Sequence, residues 1–378
     1  MSKNKMKQQL NKIYAMCAIG NFSLGGATWV ALLAARGYSL IEIGFLETIF
    51  HITSLTFEIP SGMLADIYGR KRIMVAGHVM SVISCLLMIV SRGFWEVALS
   101  ICFSALSYNL ASGSGEAYAY DGMKSCGMES EYEKFSANKV ILYRVFNGAA
   151  LLCAGFALLI GYKAANAVDA VLNLVCIGIG LSLAPEPGRN ESYAVSSEKE
   201  RRRENSAWYR LRYEIRKCFS ESFRLLWIDR RVAKIMMCNA LVEAFAILLC
   251  FFLQARLPQA GLPAVWLGPV LFVMGMGGIF GAKIVVTLGR WKYRKVALLA
   301  IMVVLLGVLA ERTDLWPLLC LGGFLANFAD DMIQIRSDAL LNDMIPSEQR
   351  ATLISVSSFC FSMVMIVLSP LAGWFFGS

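Results

Sequence analysis

The chain has 378 residues, of which 57% are hydrophobic and 17% charged, and its mean hydropathy is +0.58. This composition excludes an ordinary soluble domain, which exposes far more charge. The net charge of +9 does not indicate a nucleic-acid partner, because the basic residues lie in connectors between apolar runs. The eleven cysteines form no CxxC pair and there are two histidines, so we expect no disulfide framework, metal or cofactor. The sequence contains no HExxH, GxSxG or GxxxxGK motif, so we do not expect an enzyme.

Apolar runs of about 20 residues are long enough to cross a bilayer as helices. The first run follows a short basic N-terminus and is too long for the core of a signal peptide. The sequence therefore predicts an all-α polytopic membrane protein with about eleven spans. The predicted spans are 12–35, 39–66, 71–91, 94–121, 137–161, 164–184, 233–255, 264–288, 294–310, 315–340 and 350–376.

Basic residues concentrate in alternate connectors, such as 70–72, 201–203 and 290–294. By the positive-inside rule these connectors lie in the cytoplasm. We therefore expect a multi-pass protein of the cell membrane, with its N-terminus in the cytoplasm and, after eleven spans, its C-terminus outside. We expect it to be a monomer.

One long polar segment, 185–232, divides the chain into predicted transmembrane halves at 1–184 and 233–378. Within this linker, apolar residues recur at helical spacing among basic ones. They are Trp208, Leu211, Ile215 and Phe219. This pattern predicts a basic amphipathic helix on the inner membrane surface. A calmodulin-type target helix is the alternative.

The connector after the second span reads Gly62-Met-Leu-Ala-Asp-Ile-Tyr-Gly-Arg-Lys-Arg72. Gly69 suits the left-handed backbone of a tight turn. Asp66 lies at the negative end of a helix, so its carboxylate needs a partner. A purely topological basic loop is the alternative reading.

This connector resembles the signature loop between the second and third helices of major facilitator superfamily transporters. The matching residues are Gly62, Leu64, Ala65, Asp66, Gly69, Arg70 and Lys71. A weaker copy at 282–290 keeps Gly289 and Arg290 but has Val286 in the acidic position. The resemblance implies two six-helix halves around a midplane site, with the signature loop acting in gating. Family members usually have twelve spans, so a chain of eleven lacks the last helix.

Ionisable residues inside a span are costly, which makes each one a functional candidate. In the second span, four polar residues recur at spacings of four, three and four, on one helical face. They are Glu47, His51, Ser54 and Glu58. Histidine titrates near neutral pH, so this stripe predicts a proton relay. The alternative is a set of structural hydrogen bonds to another helix.

The fourth and fifth spans carry further polar candidates. Ser112-Gly-x-x-Glu116-Ala-x-x-Tyr120-Asp121 resembles a segment of some bacterial branches of the superfamily. Asn109 is a candidate ligand contact, and Asp121 reads as a residue at a helix end. Arg144 needs an anion, and we expect Glu116 or Asp121 to pair with it.

The chain is identified as similar to a bacterial drug-efflux-like branch of the superfamily, and the fourth and fifth spans are where it departs from that branch. Drug/proton antiporters resembling this chain carry an arginine on the fourth span, which is missing here, and Arg144 is a candidate to replace part of its role. They also carry a Gly-Pro-Gly-Gly signature in the fifth span, whereas 148–155 has no proline.

In the second half, Asn239 and Glu243 share a face of the seventh span, and Asn327, Asp330 and Asp331 lie in the tenth. The resemblance implies that the first, fourth, seventh and tenth spans line the central cavity. One of the two aspartates has a structural alternative as a partner of Arg336.

Two further groups of residues are open to both readings. In the first span, Asn21 and Phe22 are either a ligand contact or helix–helix contacts. Aromatic faces suited to a cation are candidates at Trp29, Tyr108 and Tyr118.

The predicted function is secondary active transport of a small organic solute by alternating access. Acidic candidates outnumber basic ones in the spans, which favours lipophilic cations or weak bases over anions. Our leading hypothesis is proton-coupled efflux. The alternatives are a proton-coupled uptake permease and a non-transporting sensor or truncated relic.

Overall fold

The computed structural model describes residues 2–185, 230–287, 291–344 and 350–377. Regular structure in these ranges is helical, as expected for backbone that must satisfy its own hydrogen bonds in lipid. The predicted amphipathic helix of the linker and the repeat residues Gly289 and Arg290 lie outside the described residues. The side chain of Asp66 also lies outside them.

Fourteen α-helices make up the described part of the chain. They are α1 Lys3–Gly20, α2 Leu24–Ala27, α3 Trp29–Ala35, α4 Leu40–Tyr68, α5 Arg70–Val90, α6 Phe94–Ala111, α7 Ser114–Lys124, α8 Tyr132–Leu152, α9 Ala154–Leu181, α10 Arg230–Gln259, α11 Ala264–Thr287, α12 Tyr293–Glu311, α13 Trp316–Met344 and α14 Arg350–Gly377. A single 3-10 turn, Glu129–Glu131, precedes α8.

Among the described residues, nine helical segments are long and apolar enough to cross a membrane, so the count of about eleven is not confirmed. The two predicted spans that are missing from this set are interrupted. Span 12–35 breaks at 21–23 and again at Thr28, and span 137–161 breaks at Cys153 between α8 and α9. Within α9 the helical geometry is lost again at Gly161, where φ is 79°.

The chain divides into two compact units. The first comprises Met1–Ala27, Thr53–Ala150 and Lys163–Cys218. Its apolar core joins α1, α7 and α8 through side chains such as Met6, Met123 and Phe135. These helices therefore position the polar side chains of the first unit.

The second unit comprises Thr28–Ile52, Leu151–Tyr162 and Phe219–Ser378. Two of its helices, α11 and α13, approach each other closely at glycines, which have no side chain. A Cβ on Gly277 or Gly281 of α11 would run into the backbone carbonyls of Phe324 and Phe328 on α13. This small-residue contact is the kind that drives helix association in lipid, and it brings the polar residues of α13 against α11.

Candidate functional site

The signature loop is anchored to two helix ends of the first unit. Gly69 has a φ of 97°, a positive value that favours glycine at this turn, although its ψ of 143° lies outside the predicted left-handed conformation. The Arg70 guanidinium forms an ion pair with the carboxylate of Asp121 and donates to the Ala117 carbonyl oxygen at 2.8 Å. Lys71 donates to the carbonyl oxygen of Leu181 at 2.8 Å. The loop thus ties the start of α5 to the ends of α7 and α9, and Asp121 is a helix-end residue as predicted.

A partly buried polar centre of the first unit lies where α1, α7 and α8 meet. Lys139 of α8 forms an ion pair with Glu116 of α7. The second Glu116 oxygen, Oε2, is buried and has no hydrogen-bond partner in the described part of the chain. The thiol of Cys17, on α1, donates to the Lys139 carbonyl oxygen at 3.7 Å.

The expected pairing of Arg144 with Glu116 or Asp121 is wrong. Glu116 pairs with Lys139 and Asp121 pairs with Arg70, while Arg144 is exposed on α8. Lys139 lies five residues before Arg144, about one and a half helical turns away, and it is this residue whose ammonium group reaches α7.

Two other candidates of the first unit have structural roles. The Asn109 amide exchanges two hydrogen bonds with Ser54, accepting from its hydroxyl at 2.9 Å and donating to its carbonyl oxygen at 2.7 Å. This favours the structural alternative for both residues. Tyr118 is 3% exposed and donates to the Ala184 carbonyl oxygen at 2.8 Å. The expectation that its ring face is open to a ligand is therefore wrong.

In the second unit, Glu47 and His51 form a buried pair on α4. The Glu47 Oε1 atom lies 3.3 Å from His51 Nε2, and His51 Nδ1 lies 3.4 Å from the Ser362 hydroxyl of α14. Thr48, on the same face, donates to the Ile366 carbonyl oxygen at 3.0 Å. The contact predicted between Glu47 and His51 is present. The longer relay through Ser54 and Glu58 stays a prediction.

A second polar group of the same unit lies between α10 and α13. Val242 of α10 packs with Ala329 of α13 in one apolar cluster, and Glu243 and Asp330 directly follow these two residues. The Oδ1 atom of Asp330 is buried and has no hydrogen-bond partner among the described residues. The same is true of the Asn239 Oδ1 atom, one turn before Glu243. Helices α10 and α13 therefore pack together, and the cavity-lining role of these residues stays a prediction.

The neighbours of Asp330 on α13 are held by packing. Asn327 donates to the Gly323 carbonyl oxygen at 2.8 Å and to the Cys250 thiol at 3.1 Å. A Cβ on Gly278 of α11 would strike the Asp331 carboxylate. Asp331 therefore packs against α11.

Sequence reasoning missed Asp169 of α9, which is 3% exposed. It lies in the predicted sixth span, so the rule that singled out other charged residues in spans would have found it. The same rule would have found Lys139 and His78, whose Nδ1 atom lies 2.8 Å from the Asn173 amide oxygen. It would not have flagged Glu311, which is 1% exposed and pairs with Arg256, because Glu311 lies just beyond the predicted span 294–310.

No group of three or more His, Cys, Asp or Glu side chains in the described ranges is arranged to hold a metal ion. The described residues of these two units bring together carboxyl groups, the two histidines His51 and His78, and cationic groups such as that of Lys139. Such groups can hold and exchange protons or bind a charged solute.

Comparison with known proteins identifies related sequences and folds. The family described as Major Facilitator Superfamily matches residues 13–313. The uncharacterized MFS-type transporter YxaM of Bacillus subtilis is 28% identical over 107 residues, a match that covers 28% of this chain and 27% of that protein. The match thus spans about a quarter of the relative's length.

Two solved structures share the fold. A mutant of the nucleoside transporter NupG has a TM-score of 0.74 and 15% identity, covering 97% of this chain and 90% of that one. An inward-facing, unoccupied bacterial homolog of the human lysosomal transporter Spinster has a TM-score of 0.70 and 16% identity, covering 98% and 82%.

Proposed function

Because the chain belongs to the major facilitator superfamily, we propose that it is a secondary active transporter that couples movement of a small organic solute to protons. Members of such folds alternate access to a midplane site between repeated halves. The gating role of the signature loop is part of the proposal. It is supported by the anchoring of Arg70 and Lys71 to the ends of α7 and α9.

Proton coupling is carried by the carboxyl groups of Glu243 and Asp330. These residues directly follow Val242 and Ala329, which pack together across α10 and α13, and one Asp330 oxygen is buried without a hydrogen-bond partner in the described ranges. Two carboxylates are costly to ionise together away from water. A proton held on one of them removes this cost and leaves a neutral site. Loss of that proton restores a negative charge, which a bound cation can then neutralise.

We propose that the solute is a lipophilic cation or weak base and that transport is outward. The second unit offers carboxyl groups on α10 and α13, among them those of Glu243, Asp330 and Asp331. In the first unit the Lys139 ammonium group is already paired with Glu116. An anionic solute would need several Arg or Lys groups instead. Because NupG is a nucleoside transporter, a neutral nucleoside is the comparison solute.

The purified chain in liposomes of phosphatidylethanolamine and phosphatidylglycerol tests this proposal. We would impose a pH gradient and follow tetraphenylphosphonium, ethidium and uridine. One-to-one exchange of a proton for a monovalent cation is electroneutral, so one pH unit supports about a tenfold cation gradient, equivalent to about 1.4 kcal/mol. We expect this accumulation for at least one cation and none for uridine.

Variants assign the coupling to the carboxyl pair. Asp330→Asn and Glu243→Gln should abolish accumulation driven by the pH gradient while preserving downhill exchange of the same probe. Asp314→Asn makes the same chemical change at an exposed side chain of the second unit and serves as the matched control. Undiminished accumulation by Asp330→Asn would refute the coupling. A folded chain that moves no probe would favour the sensor or relic.

A further inference from the structure

The first predicted span is broken between two helices, and we call this break, at residues 21–23, the joint. Helix α1 ends at Gly20 and α2 begins at Leu24, so residues 21–23 interrupt a segment that the sequence predicts to be continuous. Each helix end leaves backbone groups without an intrahelical partner. Within a membrane such groups are tolerated only where the protein satisfies them. The joint therefore depends on partners elsewhere in the first unit.

Asp169 of α9 supplies the partners for the second part of the joint. Its carboxylate is 3% exposed and accepts four hydrogen bonds from consecutive residues. The donors are the Leu24 amide to Oδ1 at 2.7 Å, and to Oδ2 the Ser23 hydroxyl at 2.6 Å, the Gly25 amide at 2.9 Å and the Gly26 amide at 3.2 Å. Only a carboxylate offers two acceptor oxygens with no donor of its own.

The first part of the joint is closed by Asn21. Its backbone amide and its side-chain amide both donate to the Cys17 carbonyl oxygen, at 3.2 Å and 2.7 Å. The Phe22 amide donates to the Ile19 carbonyl oxygen at 3.2 Å. The first end of the break is thus closed by backbone bonds and the Asn21 side chain, and the second end by the Asp169 carboxylate. The joint is therefore held by specific hydrogen bonds and is not a frayed helix end.

The joint is also connected to the polar centre of the first unit. The Cys17 carbonyl oxygen accepts a hydrogen bond from the Asn21 side-chain amide. The Cys17 thiol donates to the Lys139 carbonyl oxygen. Lys139 in turn forms the ion pair with Glu116. Residues 21–23 are therefore connected through Cys17 to the backbone of α8 at Lys139.

We infer that Asp169 is a positioning residue for transport, which keeps the first span broken at residues 21–23 and so sets the positions of Asn21 and Phe22. This inference rests on the proposed function for its effect on transport. If the carboxylate is lost, the amides of Leu24 and Gly25 either lose their hydrogen-bond acceptor or bond to the carbonyls four residues earlier, while the Gly26 amide keeps its bond to the Ser23 hydroxyl. A continuous helix would move Asn21 and Phe22 relative to α7 and α8.

Hydrogen exchange of the full chain in lipid nanodiscs tests the anchoring without any transported solute. We expect Asp169→Asn to change exchange by about tenfold, a change of about 1.4 kcal/mol, within peptides covering residues 21–28. The rate rises if the amides become bare and falls if the helix closes. Unchanged exchange there would overturn the inference, as would a rise throughout the first unit, which indicates general loss of packing.

A second variant keeps the test valid if Asp169→Asn does not fold. A methyl group on Gly25 would lie 3.0 Å from the Asp169 Oδ2 atom. Gly25→Ala should therefore displace the carboxylate, retain its charge and reproduce the local change in exchange. Gly178→Ala, on α9, meets no atom within 4 Å and is the matched control. An unaltered exchange pattern in Gly25→Ala would contradict the inference.

Transport kinetics then separate positioning from stability. For the cation that the wild type accumulates, we expect Asp169→Asn to raise KM by about tenfold with Vmax per folded molecule nearly unchanged. A loss of Vmax at constant KM would overturn the positioning role. If exchange changes locally but the wild type transports nothing, the proposed function fails while the anchoring role of Asp169 stands.

Discussion

The ion pair between Arg256 of α10 and Glu311 of α12 offers a quantitative test of how the second unit is held together. The Arg256 Nε atom lies 2.9 Å from Glu311 Oε1, and Glu311 is 1% exposed. Arg256 also lies 3.6 Å from Asp314, whose side chain is 94% exposed. We consider Arg256→Gln, which removes the charge but retains a polar side chain of similar reach.

The magnitude follows from the geometry. At 2.9 Å and an effective dielectric constant of about 20, the attraction between the unit charges is about 6 kcal/mol. Desolvation of the two ions offsets much of this. Breaking a buried pair by removing one partner nevertheless costs about 3–5 kcal/mol, because an unpaired buried charge is left behind. The exposed contact with Asp314 contributes at most about 1 kcal/mol.

A double-mutant cycle measures the pair. We expect Arg256→Gln to destabilise the chain by about 3–5 kcal/mol, and Glu311→Gln by less, since Arg256 is partly exposed and keeps Asp314 nearby. The double variant should cost less than the sum of the two by at least about 1.5 kcal/mol. Unfolding in mixed micelles, followed by tryptophan fluorescence, gives these free energies. Additivity within about 0.5 kcal/mol would refute a direct interaction.

Two further predictions concern packing and gating. Gly281→Ala should destabilise the second unit by about 1–3 kcal/mol, because the methyl group meets the Phe328 carbonyl. Gly275→Ala, with open space on the same helix, should be neutral or slightly stabilising in the same unfolding assay; equal effects would contradict the close contact. Arg70→Ala should slow tetraphenylphosphonium transport while leaving its equilibrium affinity unchanged, since it frees Asp121 at a helix end; a selective loss of affinity would argue against gating.

Much of the fold could be predicted because lipid imposes strict rules on a sequence. Runs such as 71–91 and 264–288 match α5 Arg70–Val90 and α11 Ala264–Thr287 closely. In an unbroken apolar helix the length of the apolar run equals the length of the span. Gly69 was predictable for a local reason, namely that a turn with a positive φ favours glycine.

The partners of the charged residues could not be predicted. Arg144, Glu116 and Asp121 lie within reach of one another in sequence terms, yet Lys139 and Arg70 take the two carboxylates. Which cation reaches a given carboxylate depends on how helices rotate and cross, and hydropathy carries no information about this. The same holds for Glu47 and His51, whose spacing predicted their contact but not the approach of α14.

The sequence by itself determined a helical membrane protein and its signature loop, because burial in lipid and a tight turn leave their mark on local composition. Only the tertiary structure decided where the helices break and which charges meet. A break at residues 21–23 is stable because a carboxylate some 145 positions away, on Asp169, accepts the amides it exposes. Such long-range satisfaction of backbone groups is invisible to any local pattern.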